Sequence, residues 1–457
     1  MFSGPLSDRR YRHLFAAQVI ALLGTGLTTV ALALLADALA GAQAGQVLGT
    51  ALAIKMVAYV GIAPLVGAYA TRLPRRSLLV GLDLLRASAV GVLPFVSEIW
   101  QIYLLIFLLN ACSAGFTPLF QATIPDILET DSHYTRALSL SRLAYDLENL
   151  LSPLAAALLL TMMGFDLLFL LNALAFLASA LLVVSVVLPR AQATDAPQSL
   201  RDRLGHGLRI YLRTPRLKGL LALSLAVAAG GAMQIVNTVV YVRSGLGLGE
   251  ISVALAFAAA GGGSMVVALG LPRLLDKVAQ RPLMLAGGGL MTASLFLGLL
   301  QPAFGPLLLL WFLLGAGSSL VLTPSGRLLK QSCRGADRAA VFSAQFSLSH
   351  ACWLVTYPLA GWLGSQYGLS LAFLVLGLLA LTGTLAAARL WPDGDPVVLE
   401  HEHPPQHHSH LHVHDEHHQH EHEGWEGPEP HAHPHRHAPG RHRHAFVIDT
   451  HHAHWPV

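Results

Sequence analysis

Histidine is concentrated at one end of this 457-residue chain. Only four of its 24 histidines precede residue 401, and the other 20 fall in the last 57 residues. Most of these 20 are adjacent to another histidine or two residues from one, and imidazoles at such spacings chelate one metal ion from a flexible chain. The segment therefore predicts a transition-metal binding element. It does not specify the metal, because open imidazole sites prefer copper to nickel.

The predicted metal ligands of this segment share these spacings and have acidic neighbours. They are His401, His403, His407, His408, His410, His412, His414, His417, His418, His420, His422, His431, His433, His435, His437, His442, His444, His451, His452 and His454. The same residues also fit a pH-sensitive polar tail, since imidazoles gain charge near pH ~6.5, or a purification tag, although the irregular spacing argues against a tag. Proline and polar residues throughout predict that the segment is disordered without metal.

Four polar residues stand close together in an otherwise apolar stretch: Arg142, Asp146, Glu148 and Asn149. In a helix, Arg142 and Asp146 share one face and can form an ion pair, and Asn149 lies on the same face. Glu148 points elsewhere and lacks a partner within its own helix. A buried carboxylate that binds a cation when ionised and a proton when neutral exchanges one for the other. The alternative is a structural Arg142–Asp146 bridge with Glu148 paired to another helix.

A second polar pair, His350 and Cys352, offers softer ligands that suit nickel, cobalt, copper or zinc. A lone cysteine in an apolar stretch more often packs than ligates, whereas a histidine there is a stronger candidate ligand. The chain has three cysteines, too few for a disulfide framework. Lys55, Asn110 and Asn172 are assigned to packing between helices, with no role toward a ligand.

The composition places these residues within a membrane. Charged residues make up 12% of the chain and the mean hydropathy is +0.55, whereas soluble proteins contain about 25% charged residues. This excludes an ordinary soluble enzyme, and there is no phosphate-binding loop of the G-x-x-x-x-G-K-[ST] type. Basic residues follow membrane topology, so the predicted partner is the lipid bilayer and no nucleic acid.

Apolar runs of about 20 residues, the length of a membrane-spanning helix, recur twelve times before residue 391. The predicted spans are residues 14–36, 46–70, 78–96, 99–121, 136–162, 166–188, 218–242, 250–271, 283–300, 306–328, 339–363 and 368–390. The first run is too long for the apolar part of a signal peptide, so we expect an uncleaved first helix. The sequence thus predicts an all-α membrane protein of twelve transmembrane helices with a disordered cytoplasmic tail.

The distribution of basic residues predicts the orientation in the membrane. If the N-terminus is cytoplasmic, 22 of the 26 basic residues in residues 1–400 lie on the cytoplasmic side and only Arg243 lies on the other. Both termini, and therefore the histidine-rich tail, are then cytoplasmic. The predicted divisions are a six-helix half at 1–188, a linker at 189–217, a second six-helix half at 218–391 and the histidine-rich tail at 392–457.

The linker itself contains a helix signal. Ser199 and Asp202 form a helix-start pattern, and Leu200, Leu204, Leu208 and Tyr211 then fall on one face of an amphipathic helix. We expect this helix to lie on the membrane surface. A merely solvated linker is the alternative.

The two halves resemble each other weakly. A basic loop follows the second helix at residues 67–76, and a similar loop follows the eighth helix at residues 272–281. Internal duplication of this kind is typical of secondary transporters. The two basic loops, the six-plus-six arrangement and the long central linker resemble the major facilitator superfamily over residues 9–391.

The resemblance implies a gate at the first basic loop. The superfamily motif G-x-x-x-D-R-x-G-R-R is matched at Gly67, Arg72, Arg75 and Arg76, with Asp83 and Arg86 following in the third helix. In this superfamily the acid of the motif helps to hold the two halves together on the cytoplasmic side. Thr71 stands where that acid is expected, which leaves Asp276 in the second loop as a possible substitute.

Two longer stretches, residues 142–153 and 349–358, together with the histidine-rich tail, resemble the nickel-resistance exporters of this superfamily. The resemblance implies a multi-pass protein of a bacterial inner membrane that exports nickel, with cobalt second, in exchange for protons. Ni²⁺ or Co²⁺ is then both the substrate and the tail ligand, with no other cofactor, no enzymatic activity and no obligate protein partner. The alternatives are an exporter of an organic molecule or metal chelate, such as a siderophore or drug, and a membrane-bound metal sensor or store.

Overall fold

The computed structural model describes residues 4–70, 73–189, 200–395, 398–403, 406–412, 431–437, 440–448 and 455, with residues 398–445 of this set described by their backbone alone. The described residues form thirteen α-helices and four short strands. The helices are α1 (Arg9–Ala40), α2 (Ala44–Tyr69), α3 (Arg75–Val92), α4 (Ile99–Ile127), α5 (Asp131–Leu160), α6 (Asp166–Val184), α7 (Leu200–Arg213), α8 (Pro215–Val239), α9 (Glu250–Leu275), α10 (Gln280–Leu297), α11 (Phe304–Gln331), α12 (Arg338–Gln366) and α13 (Leu369–Leu390).

All twelve predicted spans coincide with a long helix, which confirms the all-helical membrane fold. Eleven of these helices are long and apolar enough to cross a bilayer. The other long helix is α12, whose middle contains Ser347, Ser349 and His350. Ser347 donates to the Val60 carbonyl oxygen of α2 at 2.6 Å and His350 contacts Tyr59 of α2, so these two residues face the opposite half of the molecule rather than lipid.

The halves α1–α6 and α8–α13 repeat the same packing pattern. In the first half α1 packs on α6, α2 on α4, and α3 on both α4 and α6. In the second half α8 packs on α13, α9 on α11, and α10 on both α11 and α13. The corresponding helices thus have corresponding partners, which supports the internal duplication predicted from the two basic loops.

The two halves meet along four pairs of helices: α2 with α12, α5 with α9, α4 with α12 and α5 with α11. The linker helix α7 connects the end of α6 to the start of α8. Both points lie at one end of the bundle, which we call the linker end. Helices α1, α3, α5, α8, α10 and α12 begin there, and the even-numbered helices of the first half end there.

Close backbone approach within the second half gives a testable contrast between two adjacent glycines of α9. A Cβ on Gly263 would lie 1.9 Å from the Phe312 carbonyl oxygen of α11, whereas a Cβ on Gly262 would meet nothing within 4 Å. We expect Gly263→Ala to destabilise the protein by about 1–3 kcal/mol through overpacking. Gly262→Ala, the matched control, should be neutral or stabilising by up to about 1 kcal/mol because alanine favours helix. Thermal unfolding in detergent measures both, and equal midpoints would contradict the predicted contact.

The linker helix α7 is confirmed at Leu200–Arg213, while the predicted helix-start residue Ser199 lies outside the described residues. Its inner face rests on protein rather than on lipid alone: Ile210 and Tyr211 are buried, and Leu208 is exposed. Gly207 permits this packing, since a Cβ there would lie 2.3 Å from the Ala340 carbonyl oxygen of α12. The helix is thus fastened to α12, and its position on the membrane surface stays a prediction.

The tail contains strands where disorder was predicted. Strand β1 (Val398–His403) pairs antiparallel with β4 (Gly440–Ala445), and β2 (Gln406–His412) pairs antiparallel with β3 (His431–His437). The prediction of disorder is wrong for these segments. Histidine at every second residue matches the side-chain period of a strand, and pairing satisfies the backbone polar groups.

Candidate transport site and gate

The polar residues predicted for α5 lie near the middle of that helix. At a rise of about 1.5 Å per residue, Arg142 is about 17 Å and Glu148 about 26 Å from the first residue of a helix about 45 Å long. Arg142 Nη2 lies 3.0 Å from Asp146 Oδ1, which confirms the predicted ion pair. Arg142 Nε also donates to Ser264 Oγ of α9 at 2.8 Å. This pair therefore links the two halves.

Asp146 is held tightly by these contacts. Its side chain is buried, and its second oxygen, Oδ2, has no hydrogen-bond partner among the described residues. Arg142 compensates the charge, because an unpaired carboxylate in this environment costs several kcal/mol. Asp146 is thus paired structurally, as the alternative interpretation of the sequence proposed for it.

Glu148 differs from Asp146 in having no ion pair and no hydrogen bond among the described residues. Its Oε1 lies beside α1, where a Cβ on Gly26 would be 3.2 Å from this oxygen. The absence of a partner within α5 is as predicted from sequence. Glu148 is therefore a half-buried carboxylate whose charge is compensated by no direct contact in the described structure.

Lys55 of α2 has a role that the sequence analysis missed. Its Nζ lies 5.6 Å from the centre of the Tyr59 ring, and it interacts electrostatically with both Glu148 and His350. The Tyr59 ring in turn meets the His350 ring edge-on at 4.8 Å. The assignment of Lys55 to packing alone is thus incomplete. Lys55 and Glu148 lie at similar distances from the ends of α2 and α5 that are opposite the linker end, and this similar depth was the available signal.

His350 is fixed by α12 and by neighbouring rings. Its Nδ1 lies 2.7 Å from the Phe346 carbonyl oxygen, and its ring packs on Phe346 at 4.1 Å between centroids. Phe346 also packs against Tyr59 at 5.0 Å. The other ring nitrogen, Nε2, takes no part in the contact with the Phe346 carbonyl oxygen. The His350 ring thus lies within a group of aromatic rings between α2 and α12.

Several predicted ligands are not brought together with Glu148. Cys352 directs Sγ toward the Leu348 carbonyl oxygen at 3.5 Å, and exposed Asn149 donates to the Tyr145 carbonyl oxygen at 3.0 Å. Among the residues whose side chains are described, no group of three or more His, Cys, Asp or Glu is arranged to hold a metal ion. Their predicted roles toward a cargo stay predictions.

The two asparagines assigned to packing behave differently from Lys55. Asn172 of α6 donates to Thr28 Oγ1 of α1 at 2.6 Å, which joins two helices as predicted. Asn110 donates to the Ile106 carbonyl oxygen of its own helix at 2.7 Å. Both are buried, so each satisfies a polar group inside the first half.

At the linker end, a set of ion pairs closes the two halves against each other. Arg75 of α3 and Arg338 of α12 both donate to Asp126 at the end of α4. Lys330 of α11 lies 2.8 Å from Asp131 Oδ1 at the start of α5. We call these five residues the linker-end latch. Because Arg338 and Lys330 belong to the second half, opening this end requires both carboxylates to lose a partner.

The linker helix adds contacts beside this latch. His206 Nε2 lies 2.7 Å from Asp337 Oδ1, just before α12, and Tyr211 donates to Gln345 of α12. The start of α12 is therefore held by α3 and α4 through Asp126 and by α7 through His206. These contacts hold the start of α12 to both the first half and the linker helix.

The predicted gate residues lie in different structural environments. Gly67 lies at the contact of α2 with α12, where a Cβ would be 2.6 Å from Ser343 Oγ. Arg75 takes part in the latch, Arg76 is exposed, and Thr71 and Arg72 lie outside the described residues.

Asp276, the possible substitute for the missing acid of the motif, does not take part in the linker-end latch, and its gating role stays a prediction. Asp276 is exposed at the end of α9 and makes no ion pair among the described residues. Asp126 takes that place instead, since it joins Arg75 to the second half. The available signal was Asp126 after Pro125 at the end of an apolar run, on the side to which the basic residues were assigned.

Asp83 and Arg86 form a buried ion pair within the first half. Ser179 of α6 donates to Asp83 Oδ2 at 2.8 Å, and the Arg86 guanidinium lies over the rings of Phe116 and Phe176 at 4.0 and 4.5 Å. These contacts fasten α3 to α4 and α6. A gating role for this pair stays a prediction.

Twelve helices in two similar halves, a polar cluster at mid-bundle between them and a latch at one end define a secondary transporter. A model of the family described as the Major Facilitator Superfamily matches residues 14–303 and 271–414. The chain belongs to the Major Facilitator Superfamily, whose members are transporters and not enzymes.

Similar proteins differ in what their names say of cargo. The chain is 26% identical over 335 residues to an uncharacterized MFS-type transporter, YfiS, of Bacillus subtilis, covering 70% of this chain and 78% of that protein. It is 24% identical over 225 residues to macrolide efflux protein A of Streptococcus pyogenes, covering 47% of this chain. The matched region spans about half of that protein's length, 54%. Neither name mentions nickel or cobalt.

Solved structures share the fold at low identity. The human organic anion transporter MFSD10 (TETRAN) superposes with a TM-score of 0.72 at 14% identity, covering 83% of this chain and 99% of that one. A bacterial homologue of the iron transporter ferroportin, solved in an outward-facing state, gives a TM-score of 0.67 at 14% identity, covering 84% of this chain and 99% of that one. These likenesses confirm the fold.

Proposed function

We propose that the protein is an exporter that exchanges its cargo for protons at Glu148. The observation that supports this most directly is that Glu148 is a half-buried carboxylate at mid-bundle without an ion pair or hydrogen bond among the described residues. Such a group binds either a cation or a proton, and each excludes the other. Asp146 is paired with Arg142 and is not available for the same exchange.

Export is the direction that we infer for this exchange, with the latch at the cytoplasmic end. The excess of basic residues at the linker end supports a cytoplasmic location of that end in a bacterial inner membrane, with both termini inside. The latch closes this end in the described structure. In the proposed cycle, protons from outside neutralise Glu148 and displace the cargo while the latch is closed. Opening of the latch then releases the proton into the cytoplasm and admits new cargo.

One cargo class that fits this exchange is an amphipathic organic cation. The rings of Tyr59, Phe346 and His350 pack together beside Lys55, and they offer apolar and polar surface to an organic molecule. The similarity to macrolide efflux proteins supports this class better than it supports metal export. The side chains described in the bundle include no metal-ligand group of three or more.

The second cargo class is a divalent transition metal, nickel first and cobalt second. The 20 histidines after residue 400 favour it, as does the sequence resemblance to nickel-resistance exporters. With Glu148 as the one exchanging carboxylate, one proton enters for each divalent ion that leaves. Export then moves one net charge outward against an inside-negative potential, which costs about 2.3 kcal/mol per 100 mV. A third possibility is a membrane-bound metal sensor or store. Measurable transport of any cargo would exclude it.

Lys55 distinguishes cationic from anionic cargo. Replacing it by glutamine removes a positive charge near Glu148, so a cationic cargo should bind about tenfold more tightly, and an anionic cargo about tenfold more weakly. Binding titrations with a macrolide, which is a cation, and with an organic anion, in parallel with a control variant Lys277→Gln at an exposed position, measure the change. Equal affinities in the Lys55→Gln variant and the wild type would show that Lys55 is remote from the cargo.

The experiment that tests the function is uptake into inside-out proteoliposomes under an imposed proton gradient. The cargo panel contains nickel, cobalt, zinc, copper and a macrolide. Gradient-dependent uptake of any member supports proton-coupled export and assigns the cargo class. Uptake of the same member without a gradient dependence would contradict exchange with protons.

A further inference from the structure

Arg216, in the first turn of α8, contacts residues on both sides of the histidine-rich segment. It is 1% exposed. Its Nε lies 3.1 Å from Asp395 Oδ2, just before the segment, and its guanidinium lies over the Trp455 ring at 4.8 Å, near the end of the chain. One buried arginine therefore brings together two residues that are 60 positions apart.

The beginning of the segment is held by further contacts. Trp391 Nε1 donates to Asp395 Oδ2 at 3.0 Å. Arg281 of α10 donates to the Trp391 carbonyl oxygen at 2.7 Å and to the Ala388 carbonyl oxygen at 2.9 Å. Burial raises the pKa of Asp395, and Arg216 opposes that change. The chain that leaves α13 is thus fixed to α8 and α10 before the histidines begin.

The end of the segment returns to the same half. Phe446 and Ile448 are buried in the apolar core of the second half, and Trp455 packs against that core. The Phe446 and Trp455 rings meet edge-on at 5.0 Å. Phe446, Ile448 and Trp455 are therefore docked on the protein rather than free in solvent.

Between these two anchors, the strands pair early residues of the segment with late ones. The register places His401 opposite His442 in β1 and β4. In β2 and β3 it places three histidines, at every second residue of β2, opposite three histidines of β3. These pairs are His408 with His435, His410 with His433 and His412 with His431.

We propose that the histidine-rich segment is a loop closed by Arg216, and that its early and late parts together form a binding site for a divalent transition metal. The proposal is supported by the strand register, which places histidine opposite histidine, and by the docking of the chain on both sides of these strands. Imidazole groups suit nickel, cobalt, copper and zinc. The proposal rests on the metal chemistry assigned to the tail and is independent of exchange at Glu148.

Closure changes the affinity of such a site. Ligands supplied by two parts of one chain bind together more readily when both ends are fastened, because closure raises their effective concentration. Release of one end should therefore weaken the tightest metal site by about tenfold or more. By linkage, a metal that needs both parts also stabilises the docked end.

The test uses the full chain in detergent with Trp455→Ala, which releases one anchor at the end of the chain. The control is Trp362→Ala, an exposed tryptophan of α12 that is 53% exposed and has no contact with the segment among those described. Nickel titrations give the affinity of the tightest site. Hydrogen exchange of residues 440–448, without and with nickel, reports docking independently of any affinity.

The expected result is faster exchange at residues 440–448 and about tenfold weaker nickel binding in Trp455→Ala, with Trp362→Ala like the wild type. In the wild type, nickel should slow the same exchange. Unchanged exchange in Trp455→Ala would overturn closure of the loop. Faster exchange with unchanged nickel affinity would overturn the joint site. If wild-type protein binds no nickel while Glu148-dependent transport of an organic cargo persists, the metal site is overturned and the proposed exchange function stands.

Discussion

Glu148→Gln is expected to abolish proton-driven export while leaving the fold intact. An amide neither binds nor releases a proton near neutral pH, so cargo uptake into inside-out vesicles under a proton gradient should fall by at least about a hundredfold. Exchange of labelled for unlabelled cargo without a gradient should persist if the variant still binds cargo. That combination would separate loss of coupling from loss of folding.

The matched control for this variant is Glu250→Gln, at an exposed position in the first turn of α9. This variant removes the same charge at a position outside the polar cluster around Glu148. Its transport rate should therefore equal that of the wild type. Asp146→Asn is a second comparison, and it is expected to lower stability because Arg142 would lose its partner. If Glu148→Gln transports cargo at the wild-type rate under the gradient, Glu148 is not the coupling site.

Asp126→Asn is expected to open the linker end. Arg75 and Arg338 both lose their charged partner, and Arg75 is almost completely buried. Only the Arg338 pair joins the two halves, so only its loss acts on the closed state alone. A hydrogen bond to a charged group contributes about 1.5–3 kcal/mol, and its loss shifts the balance between closed and open states by about ten- to a hundredfold. Nitroxides introduced at exposed positions 76 and 277, in a background without the native cysteines, measure the separation of the halves by electron-spin distance methods.

The control for the latch is Asp276→Asn, because Asp276 is exposed and makes no ion pair among the described residues. Its distance distribution should match that of the wild type, whereas Asp126→Asn should shift to longer distances. Arg338→Gln should give the same shift by removing the other partner. An unchanged distribution in both Asp126→Asn and Arg338→Gln would show that these ion pairs do not keep the linker end closed.

The helices were predictable because the bilayer imposes their length and composition. All twelve runs appear as helices, and the linker helix was visible from its amphipathic pattern. Likewise, the Arg142–Asp146 pair followed from a spacing of four residues within one helix. These are local properties, which a sequence states directly.

Contacts between elements were less predictable. The linker-end latch joins Asp126 to Arg338, which are 212 residues apart, and nothing in the local sequence of either residue specifies the other. Matching the superfamily motif led instead to Asp276, which occupies the corresponding loop of the second half but faces solvent. Lys55 was missed for the same reason, since its relation to Glu148 and His350 depends on how α2, α5 and α12 meet.

The tail shows a different limit. Its composition predicts disorder, because few apolar residues are available to bury. Phe446, Ile448 and Trp455 supply that apolar surface, and they dock on a core that the second half has already formed. Composition averaged over the segment therefore missed an anchor built from three residues and one buried arginine.

The measurement that tests exchange at Glu148 most directly is proton release on addition of cargo to the purified full chain in weakly buffered detergent solution. Wild-type protein and Glu148→Gln have the same tail, so protons released by tail histidines cancel in the difference. The account predicts that the wild type releases up to one proton more per bound cargo, and that the difference vanishes at a pH at which Glu148 is already ionised. Equal proton release from the two proteins at every pH, with equal cargo binding, would contradict competition between cargo and proton at Glu148.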